Sequence, residues 1–320
     1  MARSTVSLGP LKSKIENSEV LTLRDLDAWA FTGTALAVLG HPIKHSLSPL
    51  MHNSALADVS REDRQYEDWQ YFRFEVHPSD LSPALVALYE KGFHGINLTV
   101  PHKILAVREV STIDPAAQSV GAINTLKRTS TGWTGFNTDG YGLSTALQES
   151  LGLELRGQHV VLLGAGGAAR GAAVECLQRQ CASLWIANRT PENLAKLLNT
   201  LRPITGEIPL RGFTLGQVPA DLPAGVVVIN ATSAGLHVDD PTPINLADLP
   251  HPAGVFDMIY NPPLTPLLHA AKQLGLPHAN GLSMLVHQGA KALEIWSGVS
   301  AARTAPAMSA VLAPSLNSAT

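Results

Sequence analysis

Four groups of residues stand at spacings that suit chemistry. In INLTVPHK (96–103), Asn97 and Thr99 alternate with Leu98 and Val100. On an extended chain both polar side chains therefore leave one face, and on an otherwise apolar strand they need partners. Pro101 suits the first position of a helix, which puts His102 and Lys103 in its first turn. A cation there opposes the helix dipole. Its charged form is disfavoured, which suits a proton donor or acceptor near neutral pH. A surface lysine that carries its ammonium out to solvent fits the same residues.

In HSLSP (45–49), Ser46 and Ser48 precede Pro49, and the pattern predicts a helix start with Ser48 as its cap. Hydroxyls beside the unpaired N–H groups of a helix start make a seat for a carboxylate. Ser48 also satisfies the pattern as a cap and nothing more. His41 and His45 do not read as metal ligands, because Pro42 breaks helical spacing and no third ligand is at hand. In GAINT and GFNTDG, Asn124 is expected to end a strand and Asp139 to open a helix. Asp139 serves either as a cap or as the counter-charge that orients Lys103.

The fourth stretch is VVLLGAGGAAR (160–170), an apolar run, a glycine-rich turn and a helix start. Gly164 allows the tight turn, Gly166 lets the backbone approach a pyrophosphate, and Ala169 lets helix and strand pack closely. The helix start supplies N–H groups and positive dipole to the anion. The next strand ends in Asn188, Arg189 and Thr190. An NAD site expects an acid near this place, whereas an arginine pairs with the 2′-phosphate of NADP. NADP is the expected cofactor, with Lys196 a second cation nearby.

These stretches need a scaffold of alternating strands and helices. Such patterns run almost end to end: strands at 35–40, 71–76 and 94–100, a hairpin around TSTG, then strands at 159–163 and 182–189 and in GVVVINAT and AGVFDMIY. Helices are expected between them, ending in a long one over LSMLVHQGAKALEIWSG. The alternation implies parallel sheets with helices on their faces. In TLRDLDAWA a short helix is expected, capped by Thr22, with Leu23, Leu26 and Trp29 on one face. Residues 1–20 read as a tail in which a plastid-type import signal has weak support.

The 320 residues suit two domains. A net charge of −3 gives no electrostatic reason to expect nucleic acid or an anionic membrane as partner. Two cysteines, Cys176 and Cys181, exclude a disulfide framework and point to a reducing, cytoplasmic setting. No apolar run reaches transmembrane length.

In this order the motifs GHPIKHSLSP, NLTVPHK, GAINT, GFNTDG, GAGGAAR, ANRT, NATSAG, DMIYNP and GLSMLVHQ resemble the NADP-dependent shikimate dehydrogenase family over about residues 33–300. The resemblance implies an α/β fold of two domains with a cleft between them. One is an N-terminal mixed α/β substrate domain over 31–142, onto which 283–320 pack back. The other is a Rossmann-like, doubly wound NADP-binding domain over 143–282. Residues 1–30 are an extension. It implies that Ser46, Ser48 and Tyr260 hold a substrate carboxylate. Asn97, Thr99, Asn124, Asp139 and Gln288 would bond its hydroxyls, and Lys103 and Asp139 would form the catalytic pair. The turn Gly164, Ala165, Gly166, Gly167, Ala168 would take the pyrophosphate. Asn188, Arg189 and Thr190 would take the adenosine phosphate, and Thr232, Met258 and Gly281 would line the nicotinamide side. No metal is implied, and the state would be monomer or homodimer. The implied reaction is reversible reduction of 3-dehydroshikimate to shikimate, in aromatic amino-acid biosynthesis. The rivals are a broader quinate/shikimate dehydrogenase, which would favour an acid where ANRT stands, and a silent NADP-binding protein, which would lack the lysine and the acid. The family often carries a second glycine where this chain has Ser283.

Overall fold

The computed structural model describes residues 19–237 and 239–317. The expected tail and import signal fall almost wholly on residues 1–18, outside them. The chain divides into two compact units, one up to Asn137 and again from Gly289, the other Thr138–Gln288. The sequence placed these passages at 142/143 and 282/283.

The first unit holds β1 (Ala35–Gly40), α1 (Ser48–Val59), β2 (Gln70–Glu75), α2 (Leu81–Glu90), β3 (Gly95–Leu98), α3 (His102–Leu105), β4 (Thr112–Ile113), α4 (Pro115–Val120), β5 (Thr125–Thr129) and β6 (Gly132–Phe136). Its six strands run in the order β2-β1-β3-β5-β6-β4. β1 lies parallel to both β2 and β3, and all six of its residues are buried. A strand covered on both faces reads as a continuous apolar run, as ALAVLG does. β5 and β6 form the expected antiparallel hairpin. Phe74, Phe93, Ile96, Leu98 and Ile123 sit in the core beneath.

Residues 21–29 belong to this unit rather than trailing from it. Leu21 pairs with the exposed edge of β2, its N–H donating to Arg73 O at 2.9 Å and its carbonyl accepting from Glu75 N at 2.8 Å. The segment Leu23–Ala28 is a 3₁₀ turn rather than an α-helix. Thr22 N–H donates to Asp25 Oδ2 at 2.7 Å, and the Trp29 ring lies 4.9 Å from those of Phe72 and Phe93.

Three local expectations are corrected. Leu47, not Ser48, is the cap of α1, so Ser48 and Pro49 fill its first two positions. Pro101 is the cap of α3 rather than its first residue, and α3 is a single turn of four residues. Asn124 precedes β5 instead of ending a strand.

The second unit holds α5 (Asp139–Leu151), β7 (His159–Leu163), α6 (Gly167–Gln178), β8 (Ser183–Asn188), α7 (Pro191–Leu201), β9 (Leu210–Thr214), β10 (Val227–Asn230), β11 (Gly254–Asp257), α8 (Pro266–Gln273) and β12 (His278–Asn280). All six strands are parallel, in the order β12-β11-β10-β7-β8-β9. The order reverses between β7 and β10, the point at which doubly wound sheets receive ligands. α9 (Leu282–Ser297) begins in this unit and ends in the first. α10 (Ala301–Asn317) packs on α1. There Arg303 meets Asp58 and Glu62 at 2.6 Å each.

Candidate functional site

The loop carrying Ser46 is pinned from β2. Arg73 Nη1 donates to Lys44 O at 2.5 Å and Ser46 O at 3.3 Å. Glu75 accepts from Ile43 N at 2.8 Å and lies 2.7 Å from His41 Nδ1. Ser46 Oγ accepts from Ser48 N–H at 3.3 Å. Ser48 itself is nearly buried in the first turn of α1. Tyr71 donates to Asn97 Oδ1 at 2.8 Å. Asn97 in turn donates from Nδ2 to Asn124 O and Thr125 Oγ1, both at 3.0 Å. Thr125 Oγ1 donates to Asn124 Oδ1 at 2.9 Å. The structure thus brings Asn97 and Asn124 into one buried network with Tyr71 and Thr125, across β2, β3 and the start of β5.

Thr99 stands just past β3, with its N–H donating to Leu39 O at 3.0 Å and its carbonyl accepting from His102 N at 2.8 Å. The same turn half-exposes Lys103, whose carbonyl accepts from Ile123 N at 2.9 Å. His102 is fully buried, with Nε2 2.9 Å from Val76 O.

Tyr71 and Thr125 of this network escaped the sequence reading, as did His52, which packs on Tyr71. Tyr71 is 1% exposed, and burial raises its pKa well above the ordinary phenol value. His52 stacks on it at 4.1 Å with the rings 1° from parallel. His52 is wholly buried, and desolvation lowers its pKa from 6.5 to about 3. A signal for Tyr71 existed: it sits in the alternating strand YFRFEV, and a buried phenol requires a partner for its tip.

In the second unit a cleft of about 700 Å³ opens at the ends of β7, β8 and β10. Gly164, Ala165 and Gly166 form one wall, Asn188, Arg189 and Thr190 another, and Thr232 a third. Gly164 holds φ +111°, and a Cβ there would lie 3.1 Å from Ala231 O. Nothing lies within 4 Å of a Cβ built on Gly166, so the backbone is open to the cleft at the start of α6. Asn188 Nδ2 donates to Thr190 O at 2.9 Å and shapes the loop around Arg189. Arg189 is exposed to the cleft.

The Thr232 wall stands on a buried polar network. Thr232 Oγ1 donates to Asn230 Oδ1 at 2.7 Å, and Asn230 Nδ2 donates to Asp257 Oδ1 at 3.0 Å. Asp257 also accepts from Thr265 Oγ1 at 2.6 Å, yet burial still raises its pKa. Asp240 lines the cleft too, a residue the sequence reading did not single out. Its carboxylate accepts from Gly235 N at 2.9 Å and His237 N at 3.0 Å, and these bonds lower its pKa.

Gly167, Ala168, Met258 and Gly281 are not among the residues lining this cleft. A Cβ on Gly281 would lie 2.1 Å from Met258 O, so these two backbones touch. Asp139 takes the first position of α5 after its cap Thr138, so it is not itself the cap. Gln288 Nε2 donates to Leu285 O at 2.9 Å. Tyr260 follows β11, and burial raises its pKa. Ser283, in place of the family glycine, donates to Glu149 Oε2 on α5, which His287 Nε2 also reaches at 2.7 Å.

Comparison with known proteins gives three family matches in chain order. The shikimate dehydrogenase substrate binding domain matches residues 38–126, shikimate/quinate 5-dehydrogenase 146–255, and the shikimate 5′-dehydrogenase C-terminal domain 281–312. The NADP(+) shikimate dehydrogenase of Bacillus licheniformis is 38% identical over 82% of this chain and 90% of its own length. That of Moorella thermoacetica is 39% identical over 82% of this chain and 88% of its own. The crystal structure of the Thermus thermophilus shikimate 5-dehydrogenase, in complex with NADP(H) and shikimate, superposes with a TM-score of 0.73 at 32% identity, covering 87% of this chain and all of that one. The chain belongs to the shikimate dehydrogenase family.

Proposed function

We propose that the chain is an NADP-dependent shikimate dehydrogenase that reversibly reduces 3-dehydroshikimate to shikimate. The observation that carries the cofactor half is the cleft over the Gly164–Gly166 turn, walled by Arg189 with no acid at the end of β8. The turn offers backbone N–H groups to a pyrophosphate, and Arg189 suits a 2′-phosphate. The donor set therefore fits NADP. When bound, its nicotinamide ring supplies the hydride taken by the C3 carbonyl carbon.

The chain's own residues do the rest. Ser46, Ser48 and Tyr260 hold the carboxylate, while Asn97, Thr99, Asn124 and Gln288 bond the hydroxyls. Lys103 gives a proton from its ammonium to the C3 oxygen as negative charge develops there, and takes it back in the reverse direction. Asp139 orients that ammonium.

The test is an absorbance assay at 340 nm with purified protein, NADPH and 3-dehydroshikimate, with NADH and quinate as controls. Turnover with the NADP(H)–shikimate pair at a kcat/KM well above both controls is expected. Equal rates with NADH, or none with any pair, would overturn the assignment.

A further inference from the structure

Asn230 and Asp257 have no part in the catalytic assignment, yet both are wholly buried. They stand side by side at the ends of β10 and β11. Leu163 on β7 and Asn280 on β12 extend the same row across the sheet. The next residues along these four strands are Gly164, Ala231, Met258 and Gly281. Gly164, Met258 and Gly281 are residues that the family resemblance gives to the cofactor, and they lie one step beyond the row.

Three members of the row repeat one device. The side-chain oxygen of each accepts the N–H two residues further on: Asn230 Oδ1 from Thr232, Asp257 Oδ1 from Ile259 and Asn280 Oδ1 from Leu282, all at 3.0 Å. Asp257 joins two of these turns, because the same Oδ1 also accepts from Asn230 Nδ2 at 3.0 Å. The Asn230 amide cannot be reversed, since its oxygen already takes the Thr232 N–H. That oxygen takes the Thr232 hydroxyl proton as well, at 2.7 Å. The Thr232 methyl is thereby held at the glycine turn, where a Cβ built on Gly164 would lie 3.1 Å from Thr232 Cγ2. On the other side Met258 N–H donates to Asn230 O at 2.9 Å, and Gly281 N–H to Ile259 O at 3.1 Å. One carboxylate oxygen thus bears on Thr232, Met258 and Gly281, which follow three different strands.

Stability gives little reason for an acid at this place. The donors to Asp257 are an amide, a hydroxyl and a backbone N–H, none of them charged. Burial raises its pKa in spite of them. Apolar side chains of similar size often replace buried ionic groups without loss of stability. Resting on the reading of this cleft as the NADP site, we propose that Asp257 is a positioning residue, whose carboxylate sets the ends of β10 and β11 against each other and holds the nicotinamide side of the site in place. The phosphates bind elsewhere, at the Gly164–Gly166 turn and Arg189, and supply most of the affinity. Loss of the tie therefore shows in kcat and not in cofactor binding.

Asp257→Ala removes the acceptor. The expected result is a kcat for shikimate oxidation lowered about 10²-fold, the consequence of a misplacement of about 1 Å. The Kd values of NADP+ and of 2′,5′-ADP, which has no nicotinamide, stay within about threefold by calorimetry. Asp257→Asn keeps an oxygen for Asn230 and Ile259 and holds kcat within about tenfold of wild type. An unchanged kcat in Asp257→Ala, or an equal loss in Asp257→Asn, would overturn the positioning role. So would a loss of 2′,5′-ADP affinity as large as the loss of kcat, which is what a purely structural role predicts. Should Asp257→Ala fold poorly, Thr232→Val and Thr232→Ser serve instead. The first loses the bond to Asn230 and the second keeps it, so kcat falls further in the first, with 2′,5′-ADP bound equally by both. The reverse order, or equal kcat values, would overturn the proposal. A wild type that oxidises no shikimate overturns the NADP-site reading and the positioning role together. An active wild type with an indifferent Asp257→Ala overturns the positioning role alone.

Discussion

Lys103 shows how far residue types alone carry an argument. Its place in the first turn of a long helix would have tied its chemistry to the dipole. α3 is one turn of four residues, and so short a helix has little macrodipole to offer. The remaining support is its place in the turn after Asn97 and Thr99 and the family it belongs to. Lys103→Ala is expected to lose at least about 10²-fold in kcat, the usual worth of a positioned acid–base group, with the KM for shikimate changed far less; unchanged turnover would refute the role. Arg189→Gln should raise the KM for NADP+ about 10–100-fold, a charged hydrogen bond's worth, and leave that for NAD+ alone. Equal effects on both would detach Arg189 from the 2′-phosphate. His52 makes the third case. Its pKa is about 3 in the folded chain, against 6.5 ordinarily. The unfolded chain therefore takes up the proton first as pH falls. The stability is whole above pH 6.5 and declines below it by up to about 1.4 kcal/mol per unit, until pH nears the folded pKa. His52→Phe should flatten that acid limb, and identical slopes in urea titrations from pH 6.5 to 4.5 would refute it. The cover over His52 was not legible in the sequence, because α1 is buried on nearly every side and a histidine among apolar neighbours does not announce what covers it.

At the scale of elements the rhythm of apolar runs was readable wherever a strand is buried on both faces, as in β1 and β7. β9 escaped because it is an edge strand in which only Phe213 is buried, so its pattern is too sparse. α10 escaped because Pro306 and Pro314 interrupt it. Local propensity argued against a helix that packing on α1 supports. The glycine-rich turn was legible because its geometry admits few residues. Gly164→Ala forces a side chain to φ +111° and to within 3.1 Å of Ala231 O. A loss of about 1–3 kcal/mol in stability follows from such strain, with weaker NADP+ binding by calorimetry. Full affinity in that variant would show that the turn does not cradle the cofactor. Ser283 carries a similar lesson in reverse: what looks like a lapse from the family pattern is met by a partner, Glu149, on α5.

For the whole molecule, the division of labour predicts separable responses. NADP+ at a hundred times its Kd adds about 2.7 kcal/mol to the stability of the state it binds. Amide exchange should slow at the ends of β7, β8 and β10, and shikimate should instead slow α1 and the β3–α3 turn. Protection of both sets by NADP+ alone would contradict that assignment. The two-unit plan was legible from the repeat of strand and helix patterns, while the exact passages were not, since α5 and α9 read as continuous helices on either side of them.

The return of the chain to its first unit has a consequence for synthesis. The Thr138–Gln288 unit is one uninterrupted run and can close as soon as it leaves the ribosome. The first unit cannot, because the helix that covers α1 is made only after the whole Thr138–Gln288 unit. At about 5–20 residues per second, the apolar flank of α1 waits on the order of 10–50 s for its cover. That interval, rather than any weakness of the finished fold, is when a nascent chain of this design most needs a chaperone.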